Sequence, residues 1–492
     1  MAAAPALDLD AGEVLAGASE AAGFLRQAAR VGFCAHPVRL QGAITHAQIN
    51  QHTGELVAAH EVYSSDQEPG GLLLKPCGNR RASRCPACAE VYRADAYQLV
   101  RAGLAGGKGL PNSVADHPRL FVTFTAPSFG PVHTQRVRNG KRRPCRPRHP
   151  STRCPHGRPA GCHRRHPDND PQLGQPICPD CFDYQAAVLW NAVAPELWRR
   201  TSDYTKRYLA RLAGLTLAQL KRTVRVSFTK VAEYQLRGLI HFHAVVRLDA
   251  VPPDDDPDAI NPPPEGFTAD LLAEAITLAA NGGTINDRQA PAVSAPVPAF
   301  AGHPARRAVW GKELDLRAIR QPGPGATTAE QVAGYIAKYA TKGTESFGPA
   351  LDRRIRNPRQ LTRVEHDLNP HIASLVRACW QLGAEPALAP LRLRAWAHML
   401  GFGGHWTTKS RRYSTTMGAL RRARATWTAR QHGHDPLGVD QDQEEAETVV
   451  VLREWAYRGA GYQTPGEAAL AAAIAAYTRE QRQSARAARA TA

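Results

Sequence analysis

Several things are missing from this 492-residue sequence. No run of about 18 apolar residues occurs, which argues against a membrane-spanning helix. The first residues, MAAAPALDLDAGEVL, carry acids where a secretory leader needs a basic start and an apolar stretch, so a cytoplasmic location is expected. Lys108 follows Gly106-Gly107, but no G-x-x-x-x-G-K-S/T occurs there or elsewhere, so no such loop cradles ATP phosphates. Internal repeats are absent. Cysteine all but vanishes after the first third: nine of the ten lie before residue 182. In a reducing compartment so many cysteines do not form disulfides, and their clustering points to metal sites. Acid is missing from two stretches. Arg136–Arg165 has eleven Lys and Arg and no acid, and 391–430 has nine and none.

What is present is base. The chain holds 62 Lys and Arg against 44 Asp and Glu, a formal charge of +18, which suits a polyanionic partner, most simply nucleic acid. A GC-rich genome would explain Arg in place of Lys but not the excess of base over acid. With 43% hydrophobic residues the chain can bury a core and is long enough for two to four domains.

Residues 1–30 read as a short helix. Residues 31–118 hold the first cysteines and a helical pattern, AEVYRADAYQLVRAGL. Arg119–Thr125 alternates apolar and polar residues as a strand and stops at Pro127. Residues 133–182 are rich in Arg, His, Pro and Cys with almost no aliphatic material, so they are either disordered or held by metal. Residues 183–222 read as helix with Trp190, Leu197 and Trp198 inward. Thr223–Gln235 and Leu239–Leu248 read as a β-hairpin turning at Arg237-Gly238. VPPDDDPDAINPPP at 251–264 and Gln321–Gly325 are breaks, and Thr327–Glu330 is a capping-box pattern opening a helix that ends near Gly343. Residues 431–450 carry six acids and no base, ahead of an Ala-rich helix with a basic tail.

Two cysteine groups each contain a CxxC, which aims two thiolates at one ion. Tetrahedral zinc needs two more ligands. In the first, Cys85 and Cys88 are joined by Cys77, with Cys34 as fourth ligand and His36 as its fallback. In the second, Cys178 and Cys181 are joined by Cys154 and Cys162, with Cys145, His156, His163 and His166 competing. Four thiolates leave no open position for water, so these two zinc sites read as structural; free buried thiols are the bland alternative. Their use would be to fold an Arg-rich segment that cannot fold alone.

The second hairpin strand reads Leu239-Ile-His241-Phe-His243-Ala-Val-Val-Arg247. Alternation puts His241 and His243 on one face, about 7 Å apart along the strand, with Phe242 anchored on the other. A three-residue loop at Leu236–Gly238 would set Glu233 across from His241, with Gln235 on the same face as its rival. Two imidazoles and an acid or amide leave open positions on a hard ion such as Mg²⁺ or Mn²⁺ holding a phosphate. Two satisfied sheet histidines are the plain alternative. Downstream, Tyr335 and Tyr339 stand one helical turn apart with Lys338 and Lys342 beside them. Tyrosine can form a covalent intermediate, and a nearby cation steadies its oxyanion. Two packed aromatics beside Val332 and Ile336 are the plain alternative here.

HFHAVV followed by YIAKY resembles the HUH endonucleases, and FVTFTAPSFGPVH at 121–133 is similar to their first strand motif. CGNRRASRCPAC, ICPDCFDY, WNAVAPELWRR and GFGGHWTTKSRRYS resemble the RepSA-type replication initiators of actinomycete plasmids and integrative elements. The resemblance runs from about residue 30 to 430. It implies an α+β fold: a ferredoxin-like antiparallel HUH sheet with helices, a zinc-stabilised amino-terminal region and a helical carboxy-terminal part. The segments would be an N-terminal helix (1–30), a first zinc module (31–118), a nickase domain (119–345) with a zinc-binding insertion at 133–182 and a loop at 251–264, a basic DNA-binding region (346–430), and an acidic segment with the last helix (431–492).

The resemblance further implies metal-assisted attack of a tyrosine on origin DNA, giving a 5′-phosphotyrosine and a free 3′-OH in rolling-circle replication. His241, His243 and Glu233 would hold Mg²⁺ or Mn²⁺. Tyr335, heading Tyr-x-x-Lys with Lys338, would be the nucleophile, and Tyr339 a second nucleophile or packing. Single-stranded DNA would be gripped by the basic segments, Lys409, Arg411 and Arg412 among them, without sequence reading. Trp406, His405 and Tyr413 are core residues or stack on bases. With no ATP site, unwinding would fall to a host helicase and the host replication machinery. The alternatives are a two-tyrosine transposase of the same chemistry, and a non-enzymatic zinc-dependent DNA-binding regulator, which leaves His241, His243 and Tyr335 without a role.

Overall fold

Alternating strands at 119–124 and 224–250 pair into the sheet that carries the candidate site. In the computed structural model, residues 18–50, 53–253, 256, 258–320, 326–431 and 447–491 are described. The break at 321–325, most of the acidic segment and part of the 251–264 loop lie outside them. Two compact units result, Ala94–Ala419 and a discontinuous one made of Met1–Arg93 with Leu420–Ala492. Among the described residues no helix is long and apolar enough to cross a membrane.

The Ala94–Ala419 unit is α+β. In chain order its main elements are β1 (Arg119–Phe124), α1 (Tyr184–Leu212), β2 (Val224–Tyr234), β3 (Ile240–Ala250), α2 (Ala269–Asn281), β4 (Leu314–Ala318), α3 (Ala329–Ala340), α4 (Pro370–Leu382) and β5 (Thr407–Lys409). The sheet order is β4-β1-β3-β2-β5 and every pairing is antiparallel. Residues 133–182 are inserted between β1 and α1.

One sheet face is the core. Phe124, Phe242 and Ala244 are buried there with Trp198 of α1, Trp310 and Phe402 in a shared cluster. Asp183 caps α1 by accepting from the Ala186 amide at 2.8 Å. The fully buried Asn191 of α1 then fixes the hairpin: its Nδ2 donates to the carbonyls of Gly238 and Leu400 at 2.9 Å, and its Oδ1 accepts from Ile240 N at 3.0 Å. Gly238 turns at φ +74, where a Cβ would meet Leu375 at 2.4 Å.

The other face is polar and still largely buried. Arg247 and Asp249 of β3 are both solvent-free and pair at 2.6 Å, and Asp249 also takes contacts from His117 at 2.8 Å and Ser227 at 2.6 Å. Helix α3 lies on this face with Val332, Ala333, Ile336 and Ala337 inward. Its N-cap is Thr328, in a capping box with Gln331, one residue later than the Thr327–Glu330 pattern suggested.

The discontinuous unit is a small antiparallel sheet. Val38–Asn50 lies between Glu447–Ala460 and Leu56–Ser64, with Leu73–Lys75 beside its start. The strand at 447–460 has no counterpart in the sequence reading, which ended the chain in an acidic segment and a helix. The helices Ala18–Arg30 and Pro465–Thr491 belong to the same unit.

Lys230 of β2 points into the core. Its ammonium lies 4.2 Å from the Phe242 ring centre and donates to the His405 carbonyl at 3.2 Å. Burial pushes its pKa down to about 7. Because the folded value lies below the unfolded one, the charged form costs stability in full below about pH 7, and that cost disappears as pH rises toward the unfolded value. Lys230→Met is therefore expected to stabilise the unit at pH 6 by on the order of a few kcal/mol. Thermal unfolding at pH 6 and pH 9.5 should show the gain shrinking with pH.

Candidate metal and tyrosine site

The hairpin register places Glu233 opposite His241 and Thr123 of β1 opposite His243. Three ligand atoms converge on the polar face. Glu233 Oε2 lies 3.0 Å from His241 Nε2 and 2.9 Å from His243 Nε2, and the two Nε2 atoms are 3.2 Å apart. Octahedral bonds of about 2.1 Å place neighbouring ligands about 3.0 Å apart, so these three atoms fit one face of an octahedron around a hard divalent ion. Gln235 is not part of this triangle; its Oε1 accepts from Arg237 Nε at 2.8 Å. The His243 ring is held from behind by Thr123 Oγ1, 3.0 Å from Nδ1, and is stacked by Phe121. If Nδ1–H donates to Thr123, Nε2 presents its lone pair to the triangle, the usual support for a metal-binding imidazole. Burial disfavours the Glu233 carboxylate, yet the two imidazoles hold its pKa down at about 2.

The tyrosine helix meets this triangle. Tyr335 Oη is 3.3 Å from His243 Nε2, and its ring is edge-on to both His243 and Phe121. The Tyr339 ring is 4.7 Å from that of Tyr335 and 5.7 Å from His243, with the ammonium groups of Lys342 and Lys338 4.9 and 5.5 Å from its centre. Burial, followed by the neighbouring Tyr339 and Glu233, raises the Tyr335 phenol well above its ordinary value; Arg317 opposes them. Burial and Glu233 raise Tyr339 too. Arg317 and Asp315 lie on β4 opposite Phe121 and Thr123, an edge strand that the sequence reading passed over although Leu314-Asp-Leu-Arg alternates.

The cysteines form three clusters rather than two. Cys34, Cys77, Cys85 and Cys88 lie together in the discontinuous unit, with sulfur separations of 3.6 to 3.7 Å; His36 is exposed and outside the cluster. The expected set Cys154, Cys162, Cys178 and Cys181 is corrected. Cys162 belongs with His133, Cys145 and His166, and His156 takes its place beside Cys154, Cys178 and Cys181. The physical reason is the backbone bridge between Arg146 and Cys162, which carries Cys162 to Cys145 and away from the CxxC. His163 is spoken for by the Arg148 carbonyl, 2.8 Å away. His133 was not a candidate, because it stands alone and twelve residues before the next ligand.

The basic residues divide. All eleven Lys and Arg of 136–165 are exposed, as is Arg411, whereas Arg412 is partly buried and reaches Asp258 at 3.6 Å. Lys409 is a staple: its ammonium donates to the carbonyls of Ser410, Arg411 and Ser414. Tyr413 is fully buried and Trp406 nearly so, which removes both from base stacking; His405 is exposed.

A family model described as "RepSA: Replication initiator protein, pSAM2" matches residues 20–476. This chain belongs to the RepSA family of replication initiators. A replication initiator protein of Streptomyces ambofaciens is 45% identical over 463 residues, 94% of this chain and 91% of that one. No solved structure matches. For this RepSA member the triangle makes a direct prediction. Glu233→Gln should lower Mn²⁺ affinity in calorimetric titration, Gln235→Ala should leave it unchanged, and Thr123→Val should weaken it about tenfold or more by freeing the His243 ring.

Proposed function

We propose that this initiator starts rolling-circle replication by cutting one DNA strand at an origin with Tyr335 and later rejoining it. The observation that carries this reading is the Tyr335 hydroxyl 3.3 Å from Nε2 of His243, itself in a triangle with His241 and Glu233. A Mg²⁺ or Mn²⁺ ion held there would polarise the scissile phosphate and, as a nearby positive charge, oppose the burial that raises the Tyr335 phenol.

The chain's own residues do the rest. Tyr335 is fixed by Phe121 and α3, so its oxygen is positioned for attack. The tyrosine oxygen gives up its proton as its bond to phosphorus forms, the bond from phosphorus to the 3′ oxygen breaks, and that oxygen leaves as a 3′-OH with a proton in exchange. The phosphotyrosine conserves the energy of the broken bond, so rejoining needs no ATP. Tyr339, with Lys338 and Lys342 beside its ring, would bring a second phenol and two cations near the same phosphate. The exposed arginines of 136–165, with Arg411, would hold the backbone without reading sequence, giving salt-sensitive binding. Unwinding would be left to a host helicase, and specificity for the origin must come from groups other than these.

The two adjacent tyrosines also fit a transposase of the same chemistry, and the 45% identity to an initiator favours replication. The test is a nicking assay with labelled single-stranded oligonucleotides tiling the origin of the element that encodes the protein, in Mn²⁺. Tyr335→Phe should abolish cutting and the covalent adduct while leaving DNA affinity within about twofold. Tyr339→Phe should retain the adduct. An adduct that survives on Tyr339 in the Tyr335→Phe protein would move the nucleophile, and a wild-type protein that never cuts would end the enzymatic reading.

A further inference from the structure

We propose that residues 133–181 form a cross-braced module of two zinc ions, one held by His133, Cys145, Cys162 and His166, the other by Cys154, His156, Cys178 and Cys181. This inference concerns only the insertion and stands independently of the nicking chemistry.

Zn–S bonds of about 2.3 Å give S···S edges of about 3.8 Å in a tetrahedron, and Zn–N bonds of about 2.0 Å give N···N edges of about 3.3 Å, with S···N between. In the first site His133 Nδ1 and His166 Nε2 are 3.2 Å apart, and Cys162 Sγ is 3.4 Å from His166 Nε2. In the second, His156 Nδ1 lies 3.2 Å from Cys181 Sγ and 3.8 Å from Cys178 Sγ. All four ligand atoms of each set fall within 4.8 Å of one another. These separations are those of zinc-sized tetrahedra. The donor chemistry agrees, because thiolate with imidazole selects zinc over Mg²⁺ or Ca²⁺.

Support around the ligands is that of a metal site. His166 is buried, and its Nδ1 lies 2.8 Å from the buried Asp170, which turns Nε2 toward the ion. The amide of Thr134 donates to Cys145 Sγ at 3.2 Å. Burial is informative as well. Between 133 and 181 the buried positions are Cys145, Cys162, Cys178 and His166, with Asp170, Gly174 and Pro176, so the ligands stand where a hydrophobic core would be.

The order of ligands along the chain makes this one module. It runs first site (133, 145), second (154, 156), first (162, 166), second (178, 181). Each ion closes a loop containing ligands of the other. The bridge Arg146–Cys162, with mutual backbone hydrogen bonds of 2.8 Å, belongs to the first site and closes the loop that presents Cys154 and His156. Losing one ion frees the segment that presents half of the other set, so the two ions should be lost together. The exposed hairpin of Arg136–Arg138 and Lys141–Arg143 grows from the first loop and depends on it.

The experiment measures zinc per chain in the full-length protein, with His241→Ala and His243→Ala introduced so that the Glu233 triangle holds no ion. Three zinc ions are expected, and Cys162→Ser should retain only one, at Cys34, Cys77, Cys85 and Cys88. Retention of two in that variant would overturn the cross-brace. X-ray absorption on the protein with all cysteines intact needs no folding of the Cys162→Ser variant. The expected zinc shell averages three sulfurs to one nitrogen, from nine cysteines and three histidines. An all-sulfur shell, or two ions or fewer, would overturn the His133 site.

Discussion

The pairing of Val224–Tyr234 with Ile240–Ala250 decides where three ligand atoms meet. A slip of one residue would turn His241 and His243 toward Trp198 and Phe242 onto the polar face, since side chains alternate along a strand. Two devices prevent it. Phe242 is locked in an aromatic cluster on one side, and Asn191 binds the turn backbone at both Gly238 and Ile240. The buried Arg247–Asp249 pair further along β3 penalises the same slip, because a displaced register would strand charges in the core. Precise placement of a few polar atoms is therefore obtained from a large and specific apolar surface behind them.

Some of this was legible in the residues alone. The strands, the shared face of His241 and His243, and the tyrosine helix follow from periodicities of two and 3.6, which act locally. The third corner of the triangle followed from counting the turn residues, and Gln235 lost to Glu233 through its contact with Arg237. The Cys and His groupings of the insertion were not legible, because spacing restricts ligands but does not pair them. The set that spacing favoured, all cysteine, is not the one the backbone bridges assemble. Trp406 and Tyr413 took the core alternative that the sequence had left beside base stacking, and Lys409 shows that a residue type suited to DNA is equally suited to capping carbonyls. The strand at 447–460 pairs across some four hundred residues, which no local pattern reveals.

The charge of the chain is arranged by the same division of labour. Arginines in the insertion are held out into solvent by groups that carry no hydrophobic bulk, whereas those near the sheet, such as Arg247 and Arg237, are consumed in fixing backbone and acid positions. Net charge thus overstates what is free to meet a polyanion.

The interleaving of the two ends has a consequence for synthesis. Val38–Asn50 emerges from the ribosome early but gains one of its neighbouring strands only when Glu447–Ala460 has been made. The Ala94–Ala419 unit is continuous and can complete its sheet first. Until then the early strand carries an open hydrogen-bonding edge, a surface prone to wrong pairing. A product truncated after residue 430 would keep every residue of the candidate site and yet leave that edge permanently bare, so chain completion, rather than site assembly, would govern its solubility in the cell.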